Sequence, residues 1–233
     1  MNIGGFEKYS FIDYPGCISS VVFTRGCNFH CPYCHNPELV RPVEGESAAS
    51  FSPEDILSFF EKRRKFIDGV VITGGEPFLQ PHLPAFCRKI KSIGLSVKID
   101  TNGSMPEMLS DLIQSRLVDY IAMDIKTDPD RYSPVIARDM DPMRIKSAVK
   151  VILASGLPHE FRTTCVTPIV DEAAFHVIAE LVRGASLYAL QIPRCEKVLE
   201  PSFFAQHPQH TSAAGLDEFV SILSPSVHQC IIR

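Results

Sequence analysis

Residues 18–36 read ISSVVFTRGCNFHCPYCHN, so that an apolar run is followed directly by a loop that contains three cysteines. The run Ile18–Phe23 is rich in β-branched and aliphatic residues, which is typical of a buried parallel strand. Similar runs that end in a polar turn recur five more times along the chain, at Gly69–Thr73, Leu95–Asp100, Tyr120–Asp124, Glu160–Val166 and Leu187–Ile192. The sequence therefore predicts six strands with the same organisation.

Stretches with helical features separate these runs. One of them begins at Ser52 and Pro53, where an N-cap residue, a proline in the first turn and an acidic residue follow one another. The other predicted helices cover about Leu83–Ser92, Pro106–Ser115, Pro142–Ala154 and Glu172–Arg183. Strand and helix alternating six times predicts an α/β fold with a parallel sheet and right-handed crossovers. Because a closed barrel of eight units needs roughly 250 residues, we expect an incomplete barrel.

The composition limits the class of protein. The chain has 233 residues, of which 45% are hydrophobic and 21% charged, and its net charge is -4. These values predict one globular domain, with an N-terminal extension over 1–17, six βα units over 18–192 and a C-terminal segment over 193–233. The near-neutral charge argues against a nucleic-acid partner. The lack of a long apolar run and of a signal peptide argues against a membrane partner, so we expect a cytoplasmic protein.

The three cysteines of the first loop indicate a metal centre. Cys27, Cys31 and Cys34 are separated by three and then two residues, so one loop can bring all three thiolates to one centre. An iron–sulfur cluster is usually bound by four thiolates, and three would leave one iron open to another ligand. The alternative is a structural zinc ion with His30 or His35 as the fourth ligand. The other five cysteines are expected to be small buried side chains: Cys17, Cys87, Cys165, Cys195 and Cys230.

Polar residues follow the other predicted strands, and they are expected at the same rim because the carboxyl ends of parallel strands converge there. Gly74-Gly75 either forms a tight turn or lets a ligand approach the backbone, and Glu76 is suited to an amine. Asp100 suits ribose hydroxyls or caps a turn. Lys126 and Arg162 suit a carboxylate, or are ordinary surface charges. An amine, a carboxylate and a ribose together indicate a nucleoside-bearing amino acid.

The order of these motifs resembles the radical S-adenosylmethionine (SAM) superfamily. The resemblance rests on Cys27–Cys34, Gly74–Pro77, Asp100–Gly103 and Asp124–Lys126. It implies a partial (β/α)6 TIM-like barrel of the radical SAM type, with a [4Fe-4S] cluster on the three loop cysteines and SAM on the open iron. It also implies SAM contacts from a set of rim residues, namely Tyr33, His35, Gly74, Gly75, Glu76, Asp100, Asp124, Lys126, Arg162 and Gln191.

A narrower resemblance concerns the glycyl-radical-enzyme activases. The stretches Gly4–Phe6, Ser10–Gly16 and Cys34–Leu39 are most similar to the activating proteins of anaerobic ribonucleoside-triphosphate reductase. Pyruvate formate-lyase activases have Gly where Tyr14 stands, and a histidine near the end of the sixth strand that has no counterpart here. The family cleaves SAM reductively, and the resulting 5'-deoxyadenosyl radical takes a hydrogen atom from a glycine of a partner enzyme.

This resemblance implies two protein partners: a glycyl radical enzyme as the substrate and a low-potential electron donor such as flavodoxin or ferredoxin. Three alternatives differ from it in substrate or in class. The first is a radical SAM enzyme that acts on a small molecule, and the second is an activase of the pyruvate formate-lyase type. The third is not an enzyme but a zinc-stabilised or electron-carrying module.

Overall fold

The computed structural model describes residues 1–40, 51–194, 197–207 and 212–233. Within it the chain divides into two compact units. Unit 1 comprises Met1–Asn28, Glu38–Thr101 and Glu107–Ile121. Unit 2 comprises Phe29–Pro37, Asn102–Pro106 and Ala122–Arg233.

The described residues contain eight strands, which are hydrogen-bonded in chain order. They are β1 Ile3–Ser10, β2 Ser19–Thr24, β3 Gly69–Gly74, β4 Ser96–Thr101, β5 Tyr120–Asp124, β6 His159–Thr164, β7 Tyr188–Gln191 and β8 Cys230–Ile232. Strand β1 is antiparallel to β2, whereas β2 to β4 are parallel neighbours and so are β6 to β8. The order begins at β1 and ends at β8, and these two strands are not paired in the described part of the chain.

The helices follow the predicted alternation. They are α1 Pro37–Val40, α2 Pro53–Arg63, α3 Leu83–Ile93, α4 Pro106–Gln114, α5 Pro142–Ala154, α6 Glu172–Leu181, α7 Pro201–Gln206 and α8 Ala213–Leu223. The Ser52 side chain accepts a hydrogen bond from the backbone N of Asp55, and Gly94 ends α3 in the left-handed conformation with φ +90°. In the described residues no helix has both the length and the apolar character that a membrane span needs.

The six predicted strands are all present, with ends shifted by at most two residues. Strands β1 and β8 were missed, and they lie in the segments predicted as the N-terminal extension and the C-terminal segment. The sequence of β1 contains Gly4, Gly5 and two charged residues, which lowers its strand propensity. Strand β8 has three residues, too few for a recognisable pattern. Both segments form strands through pairing with a neighbouring strand of higher strand propensity, β2 for β1 and β7 for β8.

The core of unit 1 includes a tyrosine that closes the amino ends of its strands. Tyr14 is buried, and its ring centroid is 5.7 Å from that of Tyr120, the first residue of β5. A Cβ atom on Gly69, the first residue of β3, would lie 2.9 Å from the Tyr14 ring. Burial raises the pKa of Tyr14 to about 12, so the phenol is neutral. Tyr14 is thus a packing residue at the end of the strands opposite the cysteine loop.

The core of unit 2 is formed by strands β6 and β7 and helices α5, α6 and α8. Phe175 of α6 packs on Phe219 of α8 with ring centroids 4.1 Å apart. The buried hydroxyl of Tyr188 on β7 is 2.6 Å from the Thr163 hydroxyl on β6, which satisfies both groups inside the core. This packing fixes β6, the strand that contains Arg162.

Candidate active site

Gly74 and Gly75 bring the end of β3 against the loop that leads to Cys27. The backbone N of Gly75 donates to the Thr24 carbonyl at 2.9 Å, and that of Glu76 donates to the Gly26 carbonyl at 2.8 Å. A Cβ atom on Gly75 would lie 2.0 Å from the Gly26 carbonyl oxygen, and one on Gly74 would lie 2.4 Å from the Thr24 nitrogen. The close approach that these glycines permit is therefore to the protein's own loop. Their predicted contact with SAM stays a prediction.

Gln80 holds the same loop and was missed by the sequence analysis. Its side-chain Nε2 donates to the Arg25 carbonyl at 2.8 Å, and its Oε1 accepts from the backbone N of Asn2 at 2.8 Å. The side chain is buried. No local pattern marks a glutamine that bridges two distant segments, so Gln80 could not be identified from the sequence.

Glu76 is fully buried in unit 1 and bonded within it. Its Oε1 atom accepts hydrogen bonds from the Thr101 hydroxyl at 2.8 Å and from the backbone N of Phe78 at 3.2 Å. The second bond caps the short 3-10 helix Pro77–Leu79. A carboxyl group held from two sides has a fixed orientation, which is what a binding site for an amine requires. The SAM contact itself stays a prediction.

Asp100 is paired with a buried lysine that the sequence analysis did not select. The Lys98 Nζ atom is 2.6 Å from Asp100 Oδ1, and the Lys98 side chain is only 2% exposed. Alternate residues of a strand point to the same face, which places the two charges side by side on β4. The Lys98 ammonium also lies 5.7 Å from the centroid of the Tyr120 ring. A buried lysine is unusual and needs such partners.

The second part of the cysteine loop lies in unit 2. The backbone N of Cys34 donates to the Cys31 carbonyl at 3.0 Å, which forms a tight turn around Tyr33. Burial raises the pKa of the Cys31 thiol to about 11, although Lys126 acts in the opposite direction. The Tyr33 hydroxyl is buried and has no hydrogen-bond partner among the described residues. His35 is partly exposed. An unpaired buried hydroxyl next to the cysteines suits contact with a ligand.

Asp124, Lys126 and Arg162 form one charged group in unit 2. Asp124 Oδ1 accepts from Arg162 Nε at 2.7 Å, and Oδ2 accepts from Lys126 Nζ at 3.0 Å. Burial raises the pKa of Asp124, but Arg162 and Lys126 outweigh it and hold the pKa below its usual value. The structure thus brings the predicted motif Asp124–Lys126 together with Arg162, which was predicted on the next strand. The β6–β7 register places Gln191 beside Thr164, two residues along from Arg162.

The donor set of the loop fits an iron–sulfur cluster. Cys27, Cys31 and Cys34 lie within eight consecutive residues and form no disulfide bond, and thiolates are the usual ligands of such clusters. The described residues contain no group of three Cys, His, Asp or Glu side chains already arranged to hold a metal ion, so the fit rests on the donor set. His30, a predicted zinc ligand, has its Nε2 atom 3.4 Å from Glu200 Oε1, and its side chain is 54% exposed.

The remaining cysteines divide into two kinds. Cys87 and Cys165 are fully buried, and burial raises the pKa of each thiol to about 12, so the expectation of core thiols is confirmed for them. It is wrong for Cys17 and Cys230, which are partly exposed: Cys17 lies in the turn two residues before β2, and Cys230 lies in the short edge strand β8. Cys195 lies outside the described residues.

Comparison with known proteins gives the family. Residues 21–182 match the family model of the radical SAM superfamily. A Methanocaldococcus jannaschii protein assigned as a glycyl-radical enzyme activating enzyme is 37% identical over 194 residues, which are 81% of this chain and 78% of the relative. The pyruvate formate-lyase-activating enzyme of Clostridium pasteurianum is 30% identical over 142 residues, which are 58% of this chain and 57% of that enzyme.

Among solved structures, TYW1 with a lysine-pyruvate adduct bound has a TM-score of 0.61 at 15% identity, over 90% of this chain and 74% of that one. At this identity the likeness concerns the fold alone. The protein belongs to the radical SAM superfamily, an enzyme class that uses a [4Fe-4S] cluster and SAM. Within the superfamily it belongs to the glycyl-radical-enzyme activase family. The predicted fold class, enzyme class and cofactors are confirmed.

Proposed function

We propose that this protein generates a glycyl radical on a partner enzyme, and that the partner is an anaerobic ribonucleotide reductase. The observation that carries the proposal is the 37% identity to an assigned activating enzyme over 81% of the chain. The three loop cysteines, Cys27, Cys31 and Cys34, support it, since none of them forms a disulfide bond. The choice of the reductase rests on the sequence of the opening stretch Ser10–Gly16 and on Tyr14.

The residues of the chain have separable tasks in this proposal. When bound, the cluster and SAM supply a reductive cleavage to methionine and a radical that takes a hydrogen atom from a glycine α-carbon. The thiolates of the loop hold the cluster, and Arg162 and Lys126 offer positive charge to the SAM carboxylate. Glu76 is oriented by Thr101 to accept from the SAM amino group. The remaining predicted contacts complete the set: Tyr33, His35, Gly74, Gly75, Asp100, Asp124 and Gln191.

The partner enzyme has two candidates. An activase of the pyruvate formate-lyase type is the second candidate, favoured by the 30% identity to the Clostridium enzyme. Tyr14 packs at the amino ends of β3 and β5. Having Tyr at this position, where pyruvate formate-lyase activases have Gly, therefore changes core packing, and Tyr14 need not contact the substrate. A low-potential flavodoxin or ferredoxin is the expected electron donor. A reducing cytoplasm is the expected location, since the described cysteines form no disulfide bond.

The test is anaerobic reconstitution with iron and sulfide, followed by EPR in the presence of SAM, a reductant and an anaerobic ribonucleotide reductase from the same organism. We expect a glycyl-radical doublet on the reductase. The variant Cys31→Ala should lose both the cluster signal and 5'-deoxyadenosine formation. Cys87→Ala is the matched control, because it removes a buried thiol that is not in the loop. It should keep the cluster and the activity.

The other outcomes separate the alternatives. A doublet on a pyruvate formate-lyase but not on the reductase would support the second candidate. SAM cleavage without a radical on either enzyme would support a small-molecule substrate. About one zinc per chain with neither iron nor sulfide would contradict the radical chemistry altogether.

A further inference from the structure

Glu160 is a buried carboxylate on β6 for which the proposed function gives no role. Its side chain is 1% exposed. Its Oε1 atom lies 3.6 Å from Arg162 Nη1, and its Oε2 atom lies 3.0 Å from Arg233 Nη1. The second contact is an ion pair without hydrogen-bond alignment, because Oε2 has no hydrogen-bond partner among the described residues. A buried carboxylate requires positive partners in order to stay charged. Here the two partners come from the same strand and from the residue that follows β8.

Arg233 is held in place by its backbone. Its N–H donates to the Leu190 carbonyl at 2.8 Å, and its own carbonyl accepts from the backbone N of Ile192 at 3.0 Å. These bonds continue the parallel pairing of β8 with β7 by one residue. The Arg233 side chain is 40% exposed and extends to the buried Glu160. The residue that follows β8, Arg233, therefore places its guanidinium group beside the Glu160 carboxylate on β6, two strands away in the sheet.

Arg162 lies between two carboxylates. Its Nε atom bonds Asp124 on β5, while its Nη1 atom faces Glu160, two residues earlier on the same face of β6. The contact at Nε is a hydrogen bond of 2.7 Å, whereas the one at Nη1 is longer than a hydrogen bond, so Glu160 acts on Arg162 through its charge. The result is a row of alternating charges that runs through Lys126, Asp124, Arg162, Glu160 and Arg233. Three cations and two anions leave one positive charge in excess.

We propose that Glu160 and Arg233 are positioning residues for Arg162 and hold its guanidinium group ready for the carboxylate of SAM. This inference rests on the proposed function, because it takes SAM as the ligand of Arg162. Arg233 offsets the charge of Glu160. Without Arg233, Arg162 becomes the nearest cation to Glu160 and is drawn towards it, and the row no longer has an excess positive charge. A ligand carboxylate is then bound less well, although no ligand contact has been removed.

The experiment measures SAM affinity in the reconstituted holoprotein, without the partner enzyme. SAM is titrated into the oxidised holoprotein, which lacks the electron needed to cleave it, and isothermal titration calorimetry gives the dissociation constant. We expect Arg233→Met to weaken SAM binding about tenfold, the lower end of the effect typical of residues that support a ligand-binding group. Arg233→Lys should recover most of the affinity. The KM for SAM should rise while 5'-deoxyadenosine formation at saturating SAM changes little.

Two controls distinguish positioning from general damage. Arg183→Met removes an exposed arginine that pairs with Glu180 on the surface, and it should leave SAM affinity unchanged. In the Glu160→Gln background the charge that Arg233 offsets is absent, so adding Arg233→Met should change SAM affinity less than twofold. Iron content and thermal unfolding are measured on every variant. The iron content of Arg233→Met should match the parent, whereas its unfolding temperature should fall, because the buried Glu160 loses one of its two cations.

The outcomes are separable. Unchanged SAM affinity in Arg233→Met would overturn the positioning role and leave the proposed function intact. An equal loss of affinity with and without Glu160→Gln would also overturn it, since Arg233 would then act by another route. Failure of the parent holoprotein to bind SAM would overturn the proposed function and this inference together. Failure to activate any glycyl radical enzyme would affect only the proposed function, because SAM binding needs no partner.

Discussion

Glu76 in unit 1 and Asp124 in unit 2 are both acidic residues at the carboxyl end of a parallel strand, but they differ in what surrounds them. Glu76 is fully buried and accepts from a hydroxyl and a backbone N–H. Asp124 is partly exposed and pairs with the cations of Arg162 and Lys126. The first arrangement fixes a loop, and the second presents charge. Position at the end of a strand therefore does not by itself distinguish a scaffold residue from a ligand contact.

The largest loss of stability is expected at Gly75, where the contact between β3 and the loop before Cys27 leaves no space for a side chain. Gly75→Ala would place a methyl group 2.0 Å from the Gly26 carbonyl oxygen. The oxygen belongs to the backbone and the methyl group is attached directly to the backbone, so the clash can be relieved only by shifting β3 or the loop. We expect a loss of about 4 kcal/mol in the free energy of unfolding, together with a lower iron content after reconstitution. Chemical denaturation and iron analysis measure the two effects.

Gly94→Ala is the control for this substitution. Gly94 has φ +90°, but nothing lies within 4 Å of the added methyl group. The cost should therefore be only the strain of a left-handed residue, about 1 kcal/mol, with a normal iron content. Equal losses in the two variants would show that the contact between β3 and the loop is not tight.

The second-largest effect is expected in the charged group formed by Asp124, Lys126 and Arg162. Asp124→Asn leaves Arg162 and Lys126 without their carboxylate while keeping the shape of the side chain. We expect a loss of about 3 kcal/mol in the free energy of unfolding, because removing one partner of a largely buried ion pair leaves uncompensated charge. The binding of SAM should weaken as well, since the two cations lose their orientation. If Asp124→Asn were as stable as the parent protein, Asp124 would not be held by its two cations, and it would not differ from Glu76 in the way described.

The same variant should alter the acid limb of the stability curve. The pKa of Asp124 lies below its ordinary value of 3.8 because the cations outweigh burial. The stabilisation that ionised Asp124 contributes to the folded protein is therefore fully present above about pH 3.8. It is lost as the pH falls towards the lower pKa that Asp124 has in the folded state. We expect the parent protein to lose stability more steeply than Asp124→Asn below that pH. Denaturant titrations between pH 5 and about 2.5 measure the difference.

The fold was predictable because its signals are local. Buried strands such as β3 are uninterrupted apolar runs, and α5 begins at an Asp-Pro pair, so bounds from the sequence match the structure closely. Strand β1 was missed because its two glycines and its charges are tolerated only through pairing with β2. Strand β8 depends in the same way on β7. Tertiary pairing, which leaves no pattern in a single sequence, decided both.

The site was predictable only at the level of residue types. Asp124 and Arg162 are 38 residues apart, and their contact depends on the pairing of two strands that no sequence pattern specifies. Lys98 was missed because lysine is normally taken as exposed, although its position two residues before Asp100 would have suggested a pair. Gln80 was missed because its partners are distant backbone groups. Glu160 was missed although Arg162 is only two residues away, because its other partner, Arg233, is distant in the sequence.

The smallest effect compares one hydrogen bond in each unit. Thr101 donates to Glu76 at 2.8 Å, and Thr127 donates to the Ile169 carbonyl at 2.7 Å; both hydroxyls are buried. A bond to a charged acceptor contributes roughly 1.5 to 3 kcal/mol and a neutral one about 1 kcal/mol. We therefore expect Thr101→Val to cost about 2 kcal/mol and Thr127→Val about 1 kcal/mol. Equal costs would indicate that Glu76 is uncharged in the folded protein, and it would then be a scaffold residue without a negative charge for a ligand amine.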